Sequence, residues 1–226
     1  MIGAVGVSGS SVDNDVKVAK AAVELDGVTH MVMTTGTPPG RDRGAKILCE
    51  SAIGVTAAVD LPIQGQCEPP DDAIWFQRMK DAGIDSLGMH LEAVTEPVRA
   101  RIMPGKAQVT VESYFRAFEA AVPVFGFGQV STYILAGLGD SKEEILAICA
   151  RLVAAGVYPF VVPFVPIAGT PLESHPTPPP AFMHEILGPL AAILRHSGMK
   201  SSDIKAGCGK CGACSALSTY EKRAQA

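Results

Sequence analysis

The strongest constraint in this sequence is a regular alternation between short apolar runs and longer segments with one apolar face. The short runs are rich in Val, Ile, Met and Thr, which is typical of buried strands, and the longer segments have helical periodicity. Strands that alternate with helices pair in parallel, because each helix returns the chain to the same end of the sheet. The predicted strands lie at residues 28–33, 55–66, 86–92, 129–136 and 159–166, and the predicted helices at 13–25, 43–53, 71–82, 111–122, 141–155 and 181–197.

A proline inside the last predicted strand indicates that this strand lies at the edge of the sheet. Pro163 has no N–H to donate to a neighbour on that side. The sequence therefore predicts an α/β fold, a partial (β/α)6-type TIM-like barrel of parallel strands that lacks at least the first strand. Residues 1–199 are predicted to form the core, and residues 200–226 a cysteine-rich C-terminal appendage after the closing helix.

Composition and charge restrict the class of partner. The chain has 226 residues and a formal net charge of -4, and it shows no cluster of Lys and Arg that would collect nucleic acid phosphates. No apolar run reaches the roughly 18–20 residues that span a bilayer. The first residues lack the basic flank of a secretory signal. We therefore expect a cytoplasmic protein that acts on a small molecule, without nucleic acid or membrane.

The residues just after each predicted strand are the candidate site, because ligands of parallel α/β folds bind at the carboxyl ends of the strands. These positions hold a Thr/Gly turn at 34–37, Cys67 and Glu68, His90 and Glu92, a glycine-rich segment at 137–140 and the segment 165–170. Each also has an ordinary structural explanation. A Thr/Gly turn is common after a strand, Glu92 is suited to cap the next helix, and Lys106 is suited to a solvated turn.

In this order along the chain, the motifs resemble those of the radical S-adenosylmethionine (SAM) superfamily, and more narrowly its biotin-synthase-like members in a branch associated with nitrilase gene clusters. The motifs are TTGT at 34–37, MHLE at 89–92, ILAGLGD at 134–140 and VPIAGTPL at 165–172, and the resemblance extends over residues 16–221. It implies that SAM is a cofactor. The residues that the resemblance assigns to SAM are Thr35, Gly36, Thr37, His90, Glu92, Lys106, Ala136, Gly137, Gly139, Val165 and Ile167.

The resemblance also assigns each motif to a part of SAM. It implies that the backbone of the Thr/Gly turn holds the amino group, that Glu92 meets the ribose hydroxyls, and that Lys106 or Arg101 pairs with the carboxylate. The glycine-rich segment is implied to approach the adenine or methionine part, and the segment with Val165 and Ile167 to receive the adenine.

One motif of the superfamily is missing from this sequence. Radical SAM enzymes carry a Cys-x-x-x-Cys-x-x-Cys loop after the first strand, which ligates three irons of a four-iron, four-sulfur (4Fe-4S) cluster, and no such spacing occurs here. The fourth iron binds SAM before it is cleaved to a 5′-deoxyadenosyl radical. The resemblance therefore implies a truncated radical SAM chain, or one half of a split protein.

The strongest ligand motif in the sequence is a cysteine triplet near the C-terminus. Cys208, Cys211 and Cys214 form a C-x2-C-x2-C array, a spacing also used in ferredoxin-type iron-sulfur sites. We predict a 4Fe-4S cluster there, with structural zinc or unligated thiols as alternatives, since zinc normally takes four closed ligands. Cys67 is a further candidate contact at the same mouth.

Three functional hypotheses stay open from the sequence. The first is a truncated radical SAM enzyme that uses an iron-sulfur cluster and SAM for radical chemistry on a small molecule, with a reductant protein or a separate N-terminal half as partner. The second is a noncatalytic iron-sulfur or partner subunit of a split enzyme. The third is a phosphate-binding barrel enzyme with its site in the glycine-rich loops. Whether this chain alone is an enzyme is left open.

Overall fold

The computed structural model describes residues 3–6, 11–36 and 38–223. Six parallel strands form one sheet in chain order, from β1 at one edge to β6 at the other. The strands are β1 (Gly3–Gly6), β2 (Met31–Thr34), β3 (Ile63–Gln66), β4 (Ser86–Gly88), β5 (Val130–Ala136) and β6 (Val157–Pro163). The α-helices of the described residues are α1 (Val12–Asp26), α2 (Ala45–Thr56), α3 (Ile74–Asp81), α4 (Glu96–Ile102), α5 (Val111–Phe125), α6 (Lys142–Ala154), α7 (Pro180–Ser197), α8 (Cys208–Cys211) and α9 (Leu217–Arg223). None of these described helices is long and apolar enough to cross a membrane.

The predicted α/β architecture with parallel strands is confirmed, with one strand more than the five that were predicted. The additional strand, β1, pairs in parallel with β2 from Gly3 opposite Met31 to Gly6 opposite Thr34. The sequence analysis expected the first strand of the barrel to be missing, and β1 occupies that position. The other edge is β6, as Pro163 predicted, and β6 pairs with β5 alone among the described strands.

Two predicted strands are shorter in the structure than in the sequence analysis. The strand predicted at 55–66 begins only at Ile63, because Val55 belongs to the buried face of α2, which continues to Thr56. Short apolar runs do not distinguish helix from strand by periodicity alone. The strand predicted at 86–92 ends at Gly88, and Glu92 returns to the sheet through one isolated bridge to Ile134.

The sheet has two differently covered faces. Helices cover one of them: a side chain added at Gly65 of β3 would meet Leu48 of α2 and Ile84. The buried apolar residues between sheet and helices form one large cluster, and each large buried side chain there contributes about 1.5–3 kcal/mol to stability. The opposite face, called the inner face below, carries Gln64, Gln66, Ser86, Ser131, Tyr133 and Tyr158.

The C-terminal tail, residues 200–223, packs on the inner face. The Ser86 hydroxyl donates to the carbonyl of Ala206 at 2.9 Å, and the Tyr158 hydroxyl donates to Glu221 Oε1 at 2.6 Å. Gly207 passes so close to the side chain of Gln64 that an added Cβ would overlap it. The tail thus covers polar side chains that would otherwise line an open sheet face.

Candidate functional site

Two adjoining cavities lie at the carboxyl ends of the strands. The first has a volume of about 160 Å³, and its walls are Thr34, Gly36, Gln66, Cys67, Glu68, His90, Glu92 and Lys106. The second has a volume of about 230 Å³ and is lined by Gln66, His90, Glu92, Tyr133, Leu135 and Cys208. Because three residues belong to both walls, we treat the two together as the site cavity. It extends from the turn after β2 to the inner face and the C-terminal tail.

Glu92 and Lys106 form an ion pair in the wall of the site cavity. Lys106 Nζ donates to Glu92 Oε1 at 2.6 Å, and about a quarter of each side chain is exposed. Glu92 has a left-handed backbone φ of 65°, an uncommon conformation for a residue other than glycine. Hydrogen bonds to the backbone of Tyr133 and Leu135 in β5 hold it there. A ligand at this wall meets a paired carboxylate and ammonium rather than two free charges.

His90 presents a buried ring nitrogen that has no partner in the described residues. The backbone N–H of Tyr133 donates to His90 Nδ1 at 3.1 Å, while Nε2 is buried and makes no hydrogen bond there. Burial, with a smaller contribution from the charge of Lys106, lowers the pKa of His90 to about 3. The ring is therefore neutral, and since Nδ1 accepts a hydrogen bond, its proton is on Nε2. An acceptor atom on a ligand would satisfy this donor.

Arg99 of α4 supports the Glu92–Lys106 wall from behind. Its guanidinium is completely buried and donates to the backbone carbonyls of Leu91, Lys106 (3.2 Å) and Val109 (2.9 Å). One side chain thus ties the segment after β4 to the turn that carries Lys106. Charged donors to several carbonyls fix loop geometry strongly. The carbonyls of Leu91 and Lys106 also accept from backbone N–H groups, and the guanidinium makes a further, longer contact to the carbonyl of Ala93 at 3.4 Å.

The Thr/Gly turn after β2 contributes only part of its predicted residues to the site cavity. Gly36 lines it and has a φ of 66°, which suits glycine. Thr35 is buried and its side chain lies against Gly44, so it does not line the site cavity, and its assignment to SAM stays a prediction. Thr37 lies outside the described residues.

The later predicted residues do not line the site cavity. Ala136 is fully buried, Gly137 has room only for hydrogen beside Pro178, and Gly139 lies against the side chain of Arg101. Arg101, one of the two candidate partners of the SAM carboxylate, donates from Nη2 to the backbone carbonyl of Leu138 at 2.8 Å. Val165 and Ile167 lie at the surface, and 62 % and 66 % of their areas are exposed. Their assignment to SAM stays a prediction.

The cysteine triplet approaches the site cavity through one member. Cys208 lines the second cavity, and Gln66 Nε2 donates to its Sγ at 3.8 Å. Burial raises the pKa of Cys208, and it also raises the pKa of Tyr133, whose hydroxyl interacts with the thiols of both Cys208 and Cys214. Burial raises the pKa of Cys67 to about 12, so its thiol is protonated.

The superfamily's usual cluster ligands have no counterpart in this chain. The segment between β1 and α1, residues 7–11, contains no cysteine. Across the described residues, no three His, Cys, Asp or Glu side chains are arranged to hold a metal ion. The residues present therefore do not fit the cluster of the Cys-x-x-x-Cys-x-x-Cys loop.

Sequence reasoning missed three residues of this site. Gln66 ends β3, so the rule of strand ends could have found it one residue before Cys67. Tyr133 lies within β5, and only the structure shows that it faces the cavity beside Cys208. Arg99 carries no local motif, because its function depends on carbonyls up to ten residues away.

Two known proteins are similar in sequence to part of this chain. The bacteriochlorophyllide c C-7(1)-hydroxylase of Chlorobaculum limnaeum is 31% identical over 121 residues, which are 53% of this chain and 30% of that protein. The catalytic subunit of dihydroorotate dehydrogenase B (NAD(+)) of Brachyspira hyodysenteriae is 28% identical over 184 residues, 71% of this chain and 59% of that protein. The chain thus spans only part of the length of either relative.

Solved structures share the fold. Methylornithine synthase (PylB) superposes with a TM-score of 0.65 at 17% identity, covering 93% of this chain and 59% of that one. The FeFe-hydrogenase maturase HydG from Carboxydothermus hydrogenoformans gives a TM-score of 0.64 at 19% identity, covering 86% and 50%.

The family itself is identified from the sequence. The radical SAM superfamily matches residues 9–152, from the start of α1 to near the end of α6. Members of that superfamily use SAM and a 4Fe-4S cluster. This match covers more than half of the chain, and we conclude that the chain belongs to the radical SAM superfamily.

Proposed function

We propose that this chain is the SAM-binding barrel of a radical SAM enzyme that acts on a small organic molecule. The observation that carries the proposal is that Gly36, His90, Glu92 and Lys106, each assigned to SAM from the sequence, line one site cavity at the carboxyl ends of the strands. In this proposal the donor at His90 Nε2 and the second oxygen of Glu92 meet the hydroxyl groups of the ligand.

Lys106 has a distinct part in the proposal. Its ammonium pairs with Glu92 at 2.6 Å and lies where a ligand carboxylate could join the pair. The SAM carboxylate would then share Lys106 with Glu92. The Glu92–Lys106 pair would orient the ligand, and the net charge of the wall's own side chains would stay the same. Bound SAM supplies the adenosyl radical chemistry of the superfamily, and this chain's own residues bind it and exclude water.

The missing cluster ligands define the partners in this proposal. A second polypeptide or a preceding segment would supply the three cysteines, and a reductant protein would supply the electron. Cys208, Cys211 and Cys214 would hold a further iron-sulfur cluster after their thiols rearrange, because the structure does not bring the three together as metal ligands. Cys208 already lies at the site cavity. The predicted cytoplasmic location suits this role, because all six cysteines are free and thiol ligands need a reducing compartment.

A second candidate is a noncatalytic iron-sulfur or partner subunit. The observation in its favour is that the segment before α1 carries no cysteine. In that case the triplet cluster would transfer electrons or stabilise the fold, and the site cavity would not bind SAM.

Binding of SAM tests the first candidate directly. Equilibrium dialysis with labelled SAM should show saturable binding to the full chain, and Glu92→Gln and His90→Ala should each weaken it about tenfold, as expected for lost hydrogen bonds to a polar ligand. Glu24→Gln, on the exposed side of α1, is the matched control. Absence of binding to the wild-type chain would favour the partner-subunit candidate.

Anaerobic reconstitution tests the cluster. Iron and sulfide, followed by reduction with dithionite, should give the signal of a reduced iron-sulfur cluster in electron paramagnetic resonance, and this signal should be lost in the Cys208→Ser, Cys211→Ser and Cys214→Ser variants. If added SAM changes that signal, the triplet itself holds the SAM-binding iron, and the need for a second polypeptide is refuted.

A further inference from the structure

A further cavity is separate from the site cavity. It has a volume of about 460 Å³ and lies between the loop after β2, the loop after β3 and the start of α5. Arg41, Arg43 and Arg116 line it, together with one carboxylate, Asp71. A cavity of this size accommodates a small organic ligand.

The charges of this cavity are unbalanced. Three guanidinium groups and one carboxylate line its wall. Asp71 Oδ2 accepts from Arg41 Nε at 3.1 Å, and Asp71 Oδ1 lies 3.8 Å from Arg43 Nε. Glu68, in the wall of the site cavity, lies 3.9 Å from Arg43 Nη1 and offsets a second positive charge. One positive charge is left over, so the wall favours an anionic ligand.

Arg43 has the features of a residue held for a ligand. Its Nε is buried and makes no hydrogen bond within the described chain, although a buried donor normally has a partner. Its backbone φ is 51°, and among the described residues other than glycine only Arg43 and Glu92 have a positive φ. Such conformations cost free energy and cluster at functional sites. Glu92 is in the wall of the site cavity, and Arg43 is in the wall of this one.

The rest of the wall gives the ligand its shape. Pro69, Pro70 and Phe76 are apolar and rigid, while Ser113 in the first turn of α5 accepts from Arg116 Nη2 at 2.8 Å. Apolar surface beside guanidinium groups suits an anionic head on an apolar body.

We propose that this arginine-lined cavity binds a phosphate monoester with an apolar or aromatic body. Guanidinium groups bind phosphate oxygens through paired N–H donors, and a phosphate monoester has a charge of about −1.5 to −2 at pH 7. A phosphate monoester has three terminal oxygens, one for each guanidinium group of the wall, whereas a carboxylate has two. The proposal is independent of SAM binding, because the cavity shares no lining residue with the site cavity.

Phenyl phosphate is the probe for this cavity, and the protein contains its own reporter. Its single tryptophan, Trp75, lies in α3 between the lining residues Ala73 and Phe76. Titration of the full chain should change the Trp75 fluorescence with a Kd of about 0.1–1 mM, and added NaCl should weaken binding. Benzoate should bind about tenfold more weakly, and phenol should not bind.

Two variants and one control decide the outcome. Arg43→Gln and Arg116→Gln should each raise the Kd for phenyl phosphate about tenfold, as loss of one charged hydrogen-bonding group predicts. Arg195→Gln, on the exposed last turn of α7, should leave the Kd unchanged. Because Arg116 is exposed, its variant keeps the test valid even if Arg43→Gln does not fold. If the wild type and Arg116→Gln bind phenyl phosphate with equal affinity, the proposal is overturned. If the wild type binds benzoate as tightly as phenyl phosphate, the assignment of a phosphate group is overturned.

Discussion

Replacement of Arg99 by methionine tests how far one buried side chain stabilises the wall of the site cavity. Methionine fills a similar volume but donates no hydrogen bond. The carbonyls of Leu91 and Lys106 keep a backbone N–H donor, from Ala93 and Val109, whereas the carbonyls of Ala93 and Val109 lose the donor that Arg99 supplies. An unpaired buried carbonyl costs about 1–3 kcal/mol, so two cost about 2–6 kcal/mol. Removal of the desolvated guanidinium offsets part of this cost, which leaves a loss of about 3 kcal/mol.

That loss is large relative to the total stability of a domain, about 5–15 kcal/mol. For a chain of 226 residues, each kcal/mol shifts the melting temperature by about 2–4 °C, so Arg99→Met should lower it by about 10 °C. Circular dichroism during thermal and urea unfolding measures this. Arg195→Met is the control, since Arg195 is exposed, and it should shift the melting temperature by less than 2 °C, about what ordinary surface substitutions do. A shift for Arg99→Met as small as the control's would show that water replaces the guanidinium at no cost.

Three further results are expected. Burial holds the pKa of His90 at about 3, below its usual 6.5, so the unfolded chain binds this proton before the folded chain does as the pH falls. The free energy of unfolding should therefore be highest above pH 6.5 and decline toward pH 3 by up to about 1.4 kcal/mol per pH unit. Urea unfolding at several pH values should show a flatter pH dependence for His90→Gln. Tyr158→Phe removes the donor to buried Glu221 and should cost about 2 kcal/mol in urea unfolding; an unchanged midpoint would contradict a closed tail. Gly207→Ala should release the tail to limited proteolysis, because its Cβ would overlap the inner face, whereas Gly105→Ala, with nothing within 4 Å, should not.

The sequence predicted those features of the fold that depend on residues close together in the chain. Alternating periodicities indicated the parallel sheet, and Pro163 indicated its edge, because both depend on residues next to each other in the chain. The rule of strand ends also indicated that His90 and Glu92 lie at one mouth, because both follow β4 within four residues. Lys106 lies beyond α4, and only the resemblance indicated it.

Other features depend on distant contacts and carry no local pattern. Whether Val55 belonged to a helix or a strand was decided by packing, and the predicted strand there was wrong. The ion pair between Glu92 and Lys106 joins residues that the resemblance assigned to two different parts of SAM. The apposition of Cys208 to Gln66 joins residues 142 positions apart, which no spacing rule within one segment could have indicated.

The position of the tail on the inner face has a consequence for biogenesis. During translation, all six strands leave the ribosome before residues 200–223, so Gln64, Ser86 and Tyr158 remain hydrated until the tail arrives. Any inorganic group destined for Cys208 would reach it most readily after Cys208 has left the ribosome and before the tail docks. Docking of the tail would then cover the inner face and close that route.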